Sequence, residues 1–205
     1  MKPFLQVRGL AVGMPDANID TDVIMPKVFL KGIDREGLAR GLFHDLRFDT
    51  EGNPRPAFIL NRAETQGASI LVAGPNFGCG SSREHAVWGM QQFGLRAVIG
   101  TTFGGIFADN AANNGLLLVS LEPDVLAPLL AYVCRAPQSI AVDLVSQTIE
   151  YAARQIAFSV EPERRRMLMG GLDRIGDTLT RSAEIRRFEE RHFTAYPWLN
   201  DGAAR

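Results

Sequence analysis

The sequence predicts a three-layer α/β domain: a central parallel sheet plus an antiparallel sheet, with a helical C-terminal tail. Three observations carry this expectation. First, short continuous apolar runs at 69–73, 97–99 and 116–121 alternate with helix-period segments at 82–93 and about 103–113. That β-α-β-α-β order calls for buried parallel strands joined by right-handed crossovers. Second, Ile140, Val142 and Leu144 alternate with polar or small residues, and runs at 148–151 and 156–160 follow after short turns, as in an antiparallel meander. Third, 162–192 is charged and helical in pattern.

Taken in order, residues 4–12 read as a first strand, broken by Gly13 and Pro15. The segment 18–22 is a polar turn, and 23–25 is a short strand ended by Pro26. Gly32, Gly37, Gly41, Gly52 and Pro54 make 27–55 a loop with short helices. In the helix at 82–93, Ala86, Met90 and Phe93 fall at helical spacing. Ser81 and Glu84 are spaced as a capping box, so Ser81 can cap that helix. Gly115 closes the helix at 103–113 as a C′ glycine. Glu122-Pro123-Asp124 starts the next helix, whose apolar side is Val125, Leu126, Leu129, Leu130 and Val133. Pro128 belongs in its first turn or kinks it. Gly170-Gly171 and Gly176 break the tail. The expected division is a domain over 1–160 and a helical extension over 161–205, packed on that domain or on a partner.

Composition excludes several function classes. A hydrophobic content of 46% supports a real core, and a net charge of −1 gives no reason to expect nucleic-acid or membrane binding. Arg164-Arg165-Arg166 and Arg186-Arg187 are balanced by Glu161, Glu163, Asp173, Asp177, Glu184, Glu189 and Glu190, so they read as a solvated face or a contact between subunits. The N-terminal residues lack a signal-peptide pattern and no apolar run is long enough to span a bilayer, so a cytoplasmic protein is the default expectation. Cys79 and Cys134 are too few for a disulfide framework or an iron–sulfur cubane, and His44, His85 and His192 show no zinc spacing. No metal site is expected on this chain, so any metal in its chemistry must come from another chain.

Chemistry concentrates in Asn76-Phe77-Gly78-Cys79-Gly80-Ser81-Ser82-Arg83-Glu84-His85. A strand feeds a glycine-rich turn that ends where a helix begins. Backbone N–H groups, the helix dipole and an arginine able to grip a carboxylate suit that junction to an anionic substrate. Each residue also has a plain structural role open to it: Ser81 as a cap, Gly78 and Gly80 for positive φ, Arg83 as a solvated first-turn residue, His85 as a hydrogen-bonder. The pattern is neither a dinucleotide fingerprint, lacking its third glycine, nor a P-loop, lacking Gly-Lys-Ser/Thr.

The run 76–86 resembles the signature of the swivel domain of the aconitase superfamily, and Asn18-Ile19-Asp20-Thr21-Asp22-Val23-Ile24-Met25-Pro26 is similar to that domain's first loop. Within the superfamily the chain resembles the 3-isopropylmalate dehydratase small-subunit family, from about residue 4 to residue 199. The resemblance implies the swivelling β/β/α fold and a hydro-lyase that isomerises a 2-hydroxy dicarboxylate by dehydration and rehydration, in leucine biosynthesis. It implies a 4Fe–4S cluster on a separate large subunit, with no cofactor on this chain. By motif position, Ser81 matches the serine that takes the proton. Ser82 and Arg83 match carboxylate binders, and Asp22 an acidic active-site residue for which a turn-forming role stays open. Glu84 and His85 fit supporting and capping roles, and Cys79 a small loop residue. Substrate choice is expected in 26–33: Phe29, Leu30 and Ile33 suit an isopropyl group, while Lys31 can still meet an anion.

One stretch departs from the pattern. Close relatives tend to read Ser-Phe-Ala-Asp-Ile-Phe where this chain has Thr102-Phe103-Gly104-Gly105-Ile106-Phe107. That leaves room for the small subunit of a sister hydro-lyase with a citramalate or dimethylmalate type of substrate. A non-catalytic carboxylate-binding module is the reading outside enzyme chemistry.

Overall fold

A computed structural model describes residues 1–31 and 35–199. Its strands are β1 (Gln6–Met14), β2 (Ile70–Ala73), β3 (Ala97–Gly100), β4 (Leu117–Ser120), β5 (Gln138–Asp143), β6 (Thr148–Tyr151) and β7 (Arg154–Ala157). They form one sheet in the order β4-β3-β2-β1-β5-β6-β7. The strand β1 joins its two halves. Residues Ala11 to Met14 pair in parallel with β2, whereas Gln6 to Ala11 pair antiparallel with β5. The parallel and antiparallel sheets expected from sequence are thus one curled sheet that changes character along β1.

Helices cover both faces. They are α1 (Thr21–Ile24), α2 (His44–Arg47), α3 (Glu84–Phe93), α4 (Gly105–Asn114), α5 (Pro123–Arg135), α6 (Pro162–Gly170), α7 (Arg174–Leu179) and α8 (Ser182–Ala195). One core joins Val12, Met14, Leu71, Ala73 and Val98 to Val87 and Met90 of α3 and Phe107 of α4. The other joins Ala11, Ile70, Val72, Ile99 and Val119 to Leu126, Leu129 and Val133 of α5, with Ile140, Val142 and Ile149 of the antiparallel strands. Every residue of β2 and β3 is buried, as their unbroken apolar runs require. Each large aliphatic side chain so buried contributes roughly 1.5–3 kcal/mol, so the strand ends that carry the loops rest on a firm base.

Several local expectations are corrected. Residues 23–25 are not a strand. Asp20 caps α1, its Oδ1 accepting from Val23 N at 2.8 Å, and this cap outweighs the β-propensity of Val23 and Ile24. The third helix starts at Glu84, and Arg83 in the N-cap position makes no side-chain cap bond, so the Ser81–Glu84 capping box does not form. Of the two places left open for Pro128, the structure takes the interior of α5, exposed and beyond the first turn that Pro123 occupies. Gly176 does not break the tail: it sits inside α7, its N–H donating to the capping Asp173 Oδ1 at 2.6 Å. The last strand starts at Arg154, because Ala152 and Ala153 make the hairpin turn at φ 44° and 58°.

The tail divides in two. Met167 and Leu168 of α6 are buried, and Phe4 N donates to Leu168 O at 2.9 Å, so α6 belongs to the body. Arg164 pairs with Asp109 at 2.8 Å, Arg165 donates to the carbonyls of Leu144 and Val145, and Arg166 pairs with Asp177. The first arginine run is a set of internal ties. By contrast, α8 has no buried residue. No helix among the described residues is long and apolar enough to cross a membrane.

Candidate active site

Three loops meet at the C-terminal ends of the parallel strands: the one after β1, the one after β2 and the one after β3. Backbone bonds join the first two: Asn18 N to Pro75 O at 2.9 Å, Gly78 N to Ile19 O at 2.7 Å, and Thr21 N to Cys79 O at 2.8 Å. The second and third are joined by Phe77 N to Thr102 O at 3.1 Å and Gly104 N to Phe77 O at 2.9 Å. Asn18 and Asn76 both stand in the left-handed region, at φ 59° and 58°, and Asn76 Nδ2 donates to Asn18 Oδ1 at 2.8 Å. The glycines of the second loop serve this junction. Gly78 has φ 73°, and a Cβ there would lie 2.4 Å from Phe107 Cγ. A Cβ on Gly104 would lie 2.2 Å from Gly78 O, so the departure at 104–105 sits directly against the site loop.

These backbone-to-backbone ties between loops end at Cys79. From there Gly80, Ser81 and Ser82 run exposed to the start of α3. Among the described residues the N–H groups of Gly80, Ser81, Ser82 and Arg83 meet no acceptor in the protein. With the first free N–H groups of α3 they are a row of unpaired donors along the chain, next to the positive end of a helix dipole. Such a row attracts a carboxylate.

Arg83 ends the row, and its side chain is buried. The side chain is only 6% exposed, with Nη1 donating to Met25 O at 3.1 Å and Nη2 pairing with Asp22 Oδ1 at 2.6 Å. It is not a solvated first-turn residue. The fork is held in place by the first loop, and each terminal nitrogen keeps one N–H beyond these contacts. The turn role considered for Asp22 belongs instead to its neighbour Asp20, while Asp22, half-exposed, faces Arg83. The structure therefore brings Ser81, Ser82, Arg83 and Asp22 to one place. Glu84 and His85 lie behind them. Glu84 Oε1 accepts from Asn114 Nδ2 at 2.7 Å, tying α3 to the end of α4, and the His85 ring lies 4.8 Å from the Trp88 ring.

The expected substrate-choice residues are more dispersed. Phe29 and Leu30 are half-buried against the core, with Phe29 also 4.9 Å from the His44 ring. Lys31 is exposed, and Ile33 lies outside the described residues. Val28, at 67%, is the exposed apolar residue of the 3₁₀ turn Lys27–Leu30, and so short a turn carries no periodic signal that would single it out in the sequence. Thr21 carries no such signal either. It is 1% exposed, and its Oγ1 donates to Ser81 O at 2.8 Å. A cleft of about 470 Å³ lined by Arg35, Trp88, Gln91, Arg96, Asn113 and Asn114 contains none of the site residues.

Comparison with known proteins gives the family. The aconitase C-terminal domain family matches residues 1–124, and the family of the C-terminal domain of the 3-isopropylmalate dehydratase small subunit matches 175–202. The 3-isopropylmalate dehydratase small subunit 1 of Mannheimia succiniciproducens is 50% identical over 200 residues, 97% of this chain and 99% of the relative. The small subunit 2 of Salmonella typhimurium is 50% identical over 205 residues, 100% of this chain and 99% of the relative. The chain belongs to the 3-isopropylmalate dehydratase small-subunit family. A crystal structure of 3-isopropylmalate dehydratase (leuD) from Methanocaldococcus jannaschii superposes with a TM-score of 0.66 at 25% identity, covering 89% of this chain and 99% of that one.

Family membership raises the question of the iron–sulfur cluster, and the donor set answers it. No group of three or more His, Cys, Asp or Glu among the described residues could hold a metal ion. Cys79 lies in the site loop, whereas Cys134 lies on α5, where Gly13 packs against its sulfur and burial pushes its thiol up. A cubane needs three or four thiolates converging on it, and these two cysteines do not fit one.

Proposed function

We propose that this chain is the small subunit of 3-isopropylmalate dehydratase. It would interconvert 2-isopropylmalate and 3-isopropylmalate by removing water and adding it back, within leucine biosynthesis. The observation that carries the reading is the identity of 45–50% over whole chains, all bearing one activity in their names. The exposed site supports it. Ser81 and a row of free N–H donors face outward from this chain, as half of a site covered by a second subunit would.

The 4Fe–4S cluster is assigned to the large subunit, and the residues here have their own tasks. The proton to be removed lies on the carbon next to a carboxylate and is only weakly acidic. Ser81 Oγ takes it. Negative charge then grows on that carboxylate, where the N–H groups of Gly80, Ser81 and Ser82, the first turn of α3 and the Arg83 guanidinium carry it. These donors are fixed before the reaction begins and need little rearrangement as charge develops. The same field lowers the cost of a serine alkoxide, which is otherwise a poor base near neutral pH. The hydroxyl of Ser82 and the remaining N–H groups of Arg83 orient the carboxylate, and Asp22 holds Arg83. As the substrate's C–H bond breaks, the hydroxyl on the neighbouring carbon leaves with its bonding pair, a departure that the large subunit's cluster would assist; on rehydration Ser81 returns the proton to that neighbouring carbon and a water-derived hydroxyl adds to the first. Phe29, Leu30 and Ile33 would meet the isopropyl group and Lys31 the second carboxylate.

Gly104 favours one alternative. A Cβ there would lie 2.2 Å from Gly78 O, so the departure expected at 104–105 abuts the site loop, which supports a sister hydro-lyase acting on a citramalate or dimethylmalate type of diacid. Reconstitution with the matching large subunit, loaded with cluster, separates the two. The isomerase is expected to show its highest kcat/KM with 2- and 3-isopropylmalate. A tenfold or greater preference for citramalate or a dimethylmalate would replace it with the sister enzyme. Carboxylate binding without any turnover would leave only the binding-module reading.

A further inference from the structure

Thr21 is among the buried polar side chains of the described residues, and its contacts lead to the reacting group. Its N–H donates to Cys79 O at 2.8 Å, and its hydroxyl donates to Ser81 O, also at 2.8 Å, across 60 residues of sequence. These bonds bracket Gly80, which stands at φ 94° and whose Cβ, if present, would lie 3.4 Å from Thr21 Oγ1. On the other side, Asp20 caps α1 through Val23 N and forms a β-bridge with Cys79, so the base holding Thr21 is itself fixed.

What Thr21 holds is otherwise unsupported. Ser81 is exposed and does not cap α3, and the backbone of 80–82 makes no other hydrogen bond among the described residues. The next anchor is the buried Arg83 side chain. A serine base works only if its Oγ stays in line with the proton it takes, and misplacement by about 1 Å costs on the order of 100-fold in rate. The N–H row faces the same demand.

We infer that Thr21 is a positioning residue of the reaction. Its hydroxyl fixes the Ser81 carbonyl, and with it the Ser81 Oγ and the neighbouring N–H donors, against the first loop. This rests on the reading of Ser81 as the base. Thr21 itself touches no substrate.

The test uses the complete two-subunit enzyme and three variants. Thr21→Val keeps the shape and removes the donor, Thr21→Ser restores the donor in a smaller side chain, and Ser81→Ala removes the base. Thr21→Val is expected to lower kcat about 30–100-fold with KM changed by less than about threefold. Thr21→Ser is expected to recover most of the loss. Amide NMR of the chain without its partner gives a second readout: in Thr21→Val the Ser81 and Ser82 amide signals shift or broaden while those of α5 do not. If Thr21→Val fails to fold, Thr21→Cys, with a weak S–H donor, takes its place with the same expected order. An inactive Ser81→Ala beside a Thr21→Val enzyme of parental kcat overturns this inference and leaves the base intact. A Thr21→Val loss that Thr21→Ser does not recover overturns it in favour of a packing role. Parental kcat in Ser81→Ala overturns the base reading and this inference with it.

Discussion

Replacing Asp22 by asparagine removes the charge that faces Arg83, and the structure sets the size of the effect. The Arg83 side chain is 6% exposed and that of Asp22 49%, with 2.6 Å between Nη2 and Oδ1. Breaking a fully buried pair costs about 3–5 kcal/mol, because an unpaired charge is left in the interior. An exposed pair is worth only about 0.2–1 kcal/mol. One buried end and one half-exposed end place this pair between the two, at about 1–2 kcal/mol, since water reaches Asp22 but not most of the guanidinium. For a chain of this length that corresponds to a fall in Tm of about 2–8 °C. The assay is urea unfolding of the parent, Asp22→Asn, Arg83→Met and the double variant, with thermal melts alongside. The coupling energy from that cycle is expected near 1–2 kcal/mol. Asp22→Asn is also expected to raise KM, because Arg83 then loses the contact that aims it. A coupling below about 0.3 kcal/mol with an unchanged KM would refute the claim that Asp22 holds Arg83 in the site.

Other perturbations test the surroundings. Gly78→Ala forces a side chain into φ 73° and against the Phe107 ring, so chemical unfolding should show a loss of at least about 2 kcal/mol. Removal of residues 182–205 should leave Tm within a few degrees, since α8 buries nothing, while removal from 161 onward exposes the partners of Met167 and Leu168 and should unfold the chain. In the first truncation, weaker association with the large subunit, measured by calorimetry, is the expected functional deficit. Asp49 and Asp177 are both held below the usual carboxylate range, the first mainly by the Asn53 N–H and side-chain amide, the second mainly by its hydrogen bond from Arg166. The unfolded chain therefore binds protons there before the folded one does. Their stabilisation is complete above the ordinary aspartate range and lost as pH falls through the lowered values, so Asp177→Asn should flatten the acid limb of a Tm-against-pH curve.

How far the sequence could be read depended on where each residue's partner lies. The residues of β2, and those of β3 apart from Gly100, were legible because a strand covered on both faces must be apolar throughout. Likewise, Gly115 announced the end of α4. The strand expected at 23–25 failed because the Asp20 cap, three residues from its acceptor bond, outweighs a short apolar run. The hairpin turn at Ala152-Ala153 carries no glycine or asparagine to mark it. At the site, a glycine turn entering a helix was legible from the residues, whereas the roles expected of Ser81 and Ser82 rest on the resemblance. The burial of Arg83, its pairing with Asp22 and the bond from Thr21 to Ser81 were not legible, because each joins two loops far apart in sequence. Only the fold brings those loops together, and Ser81 does not cap α3 because the helix begins at Glu84, with Arg83 in the cap position.

The central claim is that Ser81 takes the substrate's proton and does not merely shape the helix start. It is tested most directly by kcat of Ser81→Ala with saturating, cluster-loaded large subunit, set beside the melting temperature of the same variant. Because Ser81 is exposed and caps nothing, the substitution should change stability by no more than about 0.5 kcal/mol. Loss of the base should lower kcat by at least about 10²–10⁴-fold. A folded Ser81→Ala enzyme that turns over at a near-parental rate would contradict the account.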